Sequence, residues 1–352
     1  MSDTPRLIHL EDTTPGITRR RAGQGFAYRR PDGKVLRDSE TLARIRALAI
    51  PPAYTDVWIS PSANSHLQAT GRDARGRKQY RYHAAFRAFS EEQKFEHITE
   101  FAKALPDIRA TVQRHMRKPG LSREKVLATI VYLLETTLIR VGNEDYARSN
   151  KSYGLTTLRD PHVDIAGSEL RFHFKGKSGK TWRLKLTDRR VAKIVKACQD
   201  LPGQHLFQYC DADGTQHQVS STDVNAYLRD ISQSEITAKD FRTWAGTVLA
   251  AMALTEIEAV DTETAAKRSV RAAIEQVAMQ LGNTPTICRK CYVHPTVIDT
   301  YMAGELARTI GKRAALELRK GLAHFRPEEA AVLALLQARL RRDLRKPQKR
   351  AA

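Results

Sequence analysis

The stretch from Leu170 to Leu186 reads LRFHFKGKSGKTWRLKL, and its period sets how the rest of the chain divides. Apolar and polar residues alternate through Leu170-Arg171-Phe172-His173-Phe174, so one strand face collects Leu170, Phe172 and Phe174. Lys175-Gly176-Lys177-Ser178-Gly179-Lys180 is turn chemistry, and Thr181-Trp182-Arg183-Leu184-Lys185-Leu186 alternates again. A β hairpin with Lys177 at its tip is predicted. On both sides of it the period is helical. Amphipathic helices are predicted from Ala84 to Leu105 and from Ile108 to His115. A third begins at Ser122 as N-cap and ends before Gly142, which puts Arg140 in its last turn. Helical patterns resume at Asp188, Asp223, Thr237, Thr262 and Pro327. From Arg339 onward seven basic residues face Asp343 alone.

The N-terminal segment reads differently. Phe26-Ala27-Tyr28 and Lys34-Val35-Leu36 flank Pro31-Asp32-Gly33, a hairpin signal. A short helix is expected from Ser39 to Leu48, stopped by Pro51-Pro52. A second hairpin runs from Ser65-His66-Leu67-Gln68-Ala69 through the turn at 71–76 to Gln79-Tyr80-Arg81-Tyr82. The expected class is α+β: a small, mostly β domain over residues 1–88, a larger, mainly α domain with a β hairpin over 89–338, and a basic tail over 339–352.

The chain has 352 residues, with 59 Lys and Arg against 39 Asp and Glu, a formal charge of +20. Such an excess suits a polyanion, because each cation set against a phosphate releases condensed counterions. No stretch approaches the ~20 apolar residues of a membrane span, and Met1-Ser2-Asp3-Thr4-Pro5 does not open a signal peptide. A cytoplasmic, nucleoid-associated protein with no membrane contact is expected. Cys288 and Cys291 form a CxxC, but Cys198 and Cys210 lie twelve positions apart and supply no second pair of zinc spacing. No metal is expected.

Taken singly, the remaining polar residues have ordinary uses. Lys177 sits in a solvated turn, and Gly176-Lys177-Ser178 lacks the glycine five positions earlier that a phosphate-binding P-loop requires. Tyr80 and Tyr82 share a strand face that could be core, and Arg72, Arg75, Arg77, Lys78 and Arg81 could be a solvated edge. An arginine in the last turn of a helix commonly serves its carbonyls. Together, however, the residues suit phosphodiester transesterification. That reaction needs a nucleophile, fixed cations on the non-bridging oxygens and an acid for the departing oxygen. Tyrosine suits a reversible version, and planar guanidinium groups suit the growing phosphate charge.

Five segments, in order, resemble the small type IB topoisomerases of poxviruses and bacteria. They are Gly71-Arg72-Asp73 with Gly76-Arg77-Lys78-Gln79-Tyr80-Arg81-Tyr82; Ile139-Arg140-Val141-Gly142-Asn143-Glu144-Asp145-Tyr146; Phe174-Lys175-Gly176-Lys177; Lys239-Asp240-Phe241-Arg242-Thr243-Trp244; and Leu281-Gly282-Asn283-Thr284-Pro285 followed by Arg289-Lys290-Cys291-Tyr292. The resemblance implies that Tyr292 attacks the scissile phosphate of duplex DNA to give a 3′-phosphotyrosyl enzyme. It implies that Arg140 and Arg242 hold the non-bridging oxygens, that Lys177 protonates the 5′-oxygen and that Lys239 assists. Gln79, Tyr80 and Tyr82, on a hairpin that also carries Arg75, Arg77 and Lys78, would touch DNA, and Tyr146 would contact the target strand.

One position departs. Nine residues before the nucleophile the poxviral pattern has histidine, and this chain has Asn283. An amide can donate to a phosphate oxygen but cannot titrate near neutral pH. What deprotonates Tyr292 is left open. The implied protein is a two-domain DNA clamp, without cofactor and acting as a monomer, that nicks one strand, lets it rotate and reseals it without ATP or metal. Two alternatives are a tyrosine recombinase and a non-enzymatic basic DNA-binding protein. The first typically has histidine where Lys239 stands and a helical N-terminal domain. The second requires the clustering of Arg140, Lys177, Arg242 and Tyr292 to be accidental.

Overall fold

A computed structural model describes residues 7–211, 213–257, 262–311 and 325–345. The chain divides into two compact units between Glu96 and His97, inside a long helix.

The first unit is built on an antiparallel sheet of order β2-β1-β3-β4-β5, with β1 Ile17–Ala22, β2 Gly25–Arg29, β3 Thr55–Ile59, β4 Leu67–Arg72 and β5 Lys78–Tyr82. Helix α1, Ser39–Ala47, is capped by Asp38, whose carboxylate accepts from the Thr41 amide at 2.8 Å. Ile17, Leu36, Ile45, Val57, Ile59 and Ala69 make the small core. The turn at Pro31-Asp32-Gly33 exists, but Val35 adds only a bridge to Arg29. The main N-terminal hairpin is β1–β2, which closes through Gly23 at φ +56°. Neither β1 nor β3 was expected, for two reasons. Arginine replaces the apolar residue on one face of β1. There Arg19 donates to the carbonyls of Ile50, Pro51 and Tyr54 and lies 4.1 Å from the Phe26 ring centre. In β3, Asp56 sits at φ +48° at a break in register, so Val57, Trp58 and Ile59 are buried in succession and alternation is lost.

The second unit is mainly helical. Helix α2, Ala84–His115, runs unbroken through Pro106, where the sequence predicted two helices. Proline costs one backbone hydrogen bond. Burial of Phe101, Ala102, Leu105, Ile108 and Val112 along the same helix offsets that loss. Helix α3, Arg123–Thr137, has the expected Ser122 cap but ends at Leu138, which takes the left-handed conformation at φ +57°. Arg140 therefore lies in an irregular segment beyond the helix, not in its last turn. Helix α4 spans Glu144–Asn150.

The sheet β6-β7-β8 follows, with β6 Val163–Ala166, β7 Glu169–Lys175 and β8 Thr181–Thr187. The expected hairpin is β7–β8, and Lys177–Gly179 form a 3-10 turn at its tip. After it come α5 Arg189–Gln199, the short pair β9 Gln208–Cys210 and β10 Gln216–Gln218, and α6 Ser221–Ser232. Asp223 is the third residue of α6, whose cap is Ser220. Next are α7 Ala238–Thr255, α8 Glu263–Gln280, α9 Pro285–Tyr292, α10 Pro295–Met302 and α11 Pro327–Arg345. The expected basic tail thus begins as the last turns of α11, and residues 346–352 lie outside the described residues.

One partly buried ionic network joins four of these helices. Arg109 of α2 donates to Glu135 of α3 at 2.6 Å and to Glu329 of α11 at 2.8 Å. The Trp244 indole of α7 donates to Glu329 at 3.3 Å. Such fully hydrogen-bonded partners compensate the desolvation of the charges they hold.

Candidate active site

Helix α7 carries Arg242 on its buried face, only 3% exposed. Among the described residues, no carboxylate meets this guanidinium. Instead Nη1 donates to the Leu138 carbonyl that ends α3, and Nη2 donates at 2.6 Å to Leu281, which ends α8. Carbonyls at helix C-termini are orphaned acceptors at the negative end of the dipole, so they bind a cation without cancelling its charge. Arg140 uses the same corner: Nη2 lies 3.4 Å from the Gly282 carbonyl and donates to Asn283 Oδ1. Because a guanidinium can only donate, the Asn283 oxygen must face Arg140, and Nδ2 points elsewhere. That Nδ2 and the Arg242 Nε are buried donors without a partner among the described residues.

Tyr292 closes the site. Thr284 caps α9 and Pro285 opens it, so the helix is eight residues long and its last residue is the tyrosine. The Arg242 guanidinium carbon lies 5.1 Å from the centre of the Tyr292 ring. The chain then turns into α10, held by Thr247, whose hydroxyl accepts from the His294 amide at 3.1 Å and lies 3.3 Å from the Tyr292 carbonyl. A Cβ at Gly246 would stand 2.6 Å from that carbonyl, so only glycine lets α7 approach so closely. Burial, reinforced by the charge of Arg140, pulls Arg242 down to about 10. Burial lowers Arg140 as well, and the nearby Tyr292 phenol opposes the shift in both. Two desolvated like charges, held by neutral carbonyls, an amide and the Tyr292 phenol, can receive an anion.

The β7–β8 hairpin is joined to this corner by residues that sequence reasoning did not single out. Trp182 packs between Gly176 and Gly282, where a Cβ at either glycine would come within 2.7 Å of the indole. Lys180 Nζ donates to the Asn283 carbonyl at 3.3 Å. The paired glycines in the two motifs were the available signal. Lys177 is exposed at the tip and has no partner among the described residues. Lys239 is exposed in the first turn of α7, and no hydrogen bond or ion pair joins it to Arg140, Arg242, Asn283 or Tyr292. Tyr146 is half exposed on α4.

In the first unit the β4–β5 hairpin is organised by Asp73. Its Oδ1 accepts from the amides of Arg75 and Arg77 at 2.9 and 3.0 Å, and its Oδ2 from Arg77 Nε and Gln79 Nε2 at 2.8 and 3.0 Å. The Arg77 guanidinium, ahead of the backbone amides, holds this carboxyl down to about 2. Arg75 and Arg77 are exposed, and Lys78 pairs with Asp12 at 2.6 Å. Tyr80, 47% exposed, stacks with Tyr82 at 6.0 Å between ring centres. The pair is therefore a partly open aromatic surface, not a sealed core face. Among the described residues, no group of three or more His, Cys, Asp or Glu is placed to hold a metal ion. No described helix is long and apolar enough to cross a membrane.

A cation pair beside a tyrosine, with no carboxylate partner among the described residues, is suited to receive a phosphodiester. Comparison with known proteins makes that chemistry specific. The family described as eukaryotic DNA topoisomerase I, catalytic core, matches residues 83–313. The family described as bacterial DNA topoisomerase IB, N-terminal domain, matches residues 25–73. DNA topoisomerase 1B of Acanthamoeba polyphaga mimivirus is 35% identical over 295 residues, which cover 81% of this chain and 87% of the viral one. DNA topoisomerase 1B of Vaccinia virus (strain Copenhagen) is 24% identical over 289 residues, 76% of this chain and 87% of its own. DNA topoisomerase 1 of Mycosarcoma maydis is 25% identical over 181 residues, 46% of this chain and 18% of its own. The chain belongs to the type IB DNA topoisomerases. It is an isomerase whose partner is DNA, and the recombinase and non-enzymatic alternatives are set aside.

Proposed function

We propose that Tyr292 is the nucleophile of this topoisomerase and that Arg140, Arg242 and Asn283 form the receptor for the scissile phosphate. The phenol oxygen attacks phosphorus, the Tyr292 Oη–P bond forms and the P–O5′ bond breaks, leaving a 3′-phosphotyrosyl enzyme. The two guanidinium groups stabilise the attacking phenolate, whose proton leaves to water, and the charge that grows on the non-bridging oxygens. The unpaired Nδ2 of Asn283 adds a neutral hydrogen bond to one of those oxygens. Lys177 reaches from the hairpin tip and gives a proton to the 5′-oxygen, with Lys239 assisting. The freed strand rotates, supercoils relax, and the 5′-hydroxyl attacks the phosphotyrosine to reseal the backbone. Because the ester keeps the energy of the broken bond, no nucleotide is consumed.

Gln79, Tyr80, Tyr82, Arg75, Arg77 and Lys78 on the β hairpin, and Tyr146 on α4, bind the duplex. All reacting groups lie on one chain, so the enzyme acts as a monomer on nucleoid DNA in the cytoplasm. The observation that carries this reading is the junction of Arg140, Asn283, Arg242 and Tyr292, which meets no carboxylate among the described residues. Supercoiled plasmid incubated with EDTA and without ATP tests it. A ladder of relaxed topoisomers is expected from the wild type and none from Tyr292→Phe. Unchanged linking number with the wild type would sink the proposal.

A further inference from the structure

Lys177 stands in an exposed turn on a flexible stem, so its aim depends on what fixes the backbone beneath it. Among the described residues β6 pairs with β7 only as far as Phe172, which leaves the end nearest the tip two-stranded. A two-stranded ribbon is marginal by itself. Ties on both strands hold it. On the β7 side the Tyr153 amide donates to the Lys175 carbonyl at 2.8 Å, and the Leu155 amide donates to the Arg140 carbonyl at 2.9 Å. On the β8 side Trp182 faces Phe174 across the strands, with the rings stacked at 6.2 Å and 2° between their planes. The pyrrole edge of the indole lies over Gly176, where a Cβ would stand 2.7 Å from Cδ1 and Nε1. The benzo ring lies against Gly282, where a Cβ would stand 2.7 Å from Cζ2. Gly176 has φ −97°, which any residue adopts, so glycine there serves the close approach. Gly176 directly precedes Lys177, and Gly282 directly precedes Asn283. The indole therefore spans from the residue before the acid to the residue before the phosphate-binding amide. Lys180 Nζ adds its bond to the Asn283 carbonyl at 3.3 Å.

We infer that Trp182 is a positioning residue that sets Lys177 against the departing 5′-oxygen, by fixing the distance between the hairpin tip and the phosphate receptor. The inference rests on the reading of Lys177 as the acid at that oxygen. Trp182 touches no reacting atom and acts through the lysine. A large aromatic ring with few torsions is a stiffer spacer than a bond between exposed side chains. Stiffness matters here because proton transfer requires heavy atoms about 2.6–3.2 Å apart. A misplacement of about 1 Å can cost about 10²-fold in rate. Without the indole the tip keeps its tie at Tyr153 but loses its stop against Gly282, and Lys177 spreads over positions that do not reach the oxygen.

The test is single-turnover cleavage of one duplex made with either oxygen or sulfur at the 5′-bridging position. Trp182→Ala should cut the oxygen substrate about 10- to 10²-fold more slowly than wild type. It should cut the sulfur substrate within about twofold of wild type, because the thiolate leaves without a proton and the other steps are untouched. In a Lys177→Ala background the added Trp182→Ala should cost nothing further, whereas independent effects would multiply. Trp182→Phe keeps a ring on Phe174 but shortens the reach to Gly282. It should fall between wild type and Trp182→Ala on oxygen and match wild type on sulfur, and it carries the test if the alanine variant does not fold. A merely structural role would displace Gly282 and Asn283 as well and slow both substrates, which overturns the inference. Full-rate cleavage of the oxygen substrate by Trp182→Ala, or a multiplied loss in the double variant, overturns it too. If sulfur does not rescue Lys177→Ala itself, the reading of Lys177 as the acid fails instead and the inference falls with it.

Discussion

Arg140 and Arg242 in the helical unit and Arg75 and Arg77 in the β unit are all proposed to meet phosphate, yet they are prepared for it in opposite ways. The first pair is desolvated and held by carbonyls and one amide, with no carboxylate in contact among the described residues. The second pair is exposed, and Asp73 ties its backbone and the Arg77 guanidinium into one turn. Burial without a counter-ion leaves the full charge for a phosphate whose charge is changing, at a cost in folding energy. Surface pairing with a carboxylate lowers the net charge but sets geometry, which is what a stationary backbone contact needs. The difference separates chemistry from grip.

The comparison breaks first at the nucleophile. Tyr292→Phe should abolish the covalent adduct on a 5′-labelled scissile strand while duplex affinity stays near wild type, because grip is supplied elsewhere. An adduct that survives on a denaturing gel would remove Tyr292 from its assigned role.

The next largest effect concerns Lys177, which stands outside both arginine pairs. A general acid contributes about 10²- to 10⁴-fold, so Lys177→Ala should lose cleavage on that order. Sulfur at the 5′-bridging position leaves without a proton, so that substrate should be cut almost equally by Lys177→Ala and wild type. Arg140→Ala and Arg242→Ala should remain slow on it. Equal rescue of all three variants would erase the division between acid and anion receptor.

A smaller loss is expected at Asn283, the neutral member of the buried set. Asn283→Ala should slow cleavage on the order of 10²-fold, the scale of one oxyanion donor, without moving the midpoint of the pH–rate profile. Asn283→His should stay active. A shifted midpoint in the alanine variant would mean that the amide controls a titration.

The smallest effect belongs to the surface pair. Neutralising Arg75 and Arg77 should flatten the salt dependence of binding by roughly 0.9 for each phosphate no longer neutralised and leave the cleavage step of bound DNA alone. Asp73→Asn should weaken binding modestly. The ionised form of Asp73 is favoured in the fold, so its support is present above the ordinary value of 3.8 and is lost as pH falls through about 2. Amide shifts of Arg75 and Arg77 should therefore be flat at neutral pH and move only in that acid window.

Local signals in the chain were legible where one segment decides its own structure. Alternation in 170–186 located β7 and β8, and Ser122, Thr237 and Thr262 marked helix starts, because each forms its hydrogen bond with a residue three positions on: Ser122 and Thr262 accept from an amide, and the Thr237 amide donates to Asp240. The motif residues Arg140, Arg242, Asn283 and Tyr292 could be named as candidates for the same site, though not how they meet. Only the tertiary structure decided that α2 passes through Pro106, that Arg19 is part of the packing of the β sheet, and that Arg140 stands beyond α3. It also decided that Lys180 and Trp182, which carry no chemistry of their own, join the hairpin to the site. The contact between Arg140 and Asn283 spans 143 positions, and that between Arg242 and Leu138 spans 104. Such contacts exist only after loop entropy has been overcome by a shared core, so no window of sequence contains them. Residue type specified the chemistry available, and the helix ends that converge on two guanidinium groups determined where that chemistry is held.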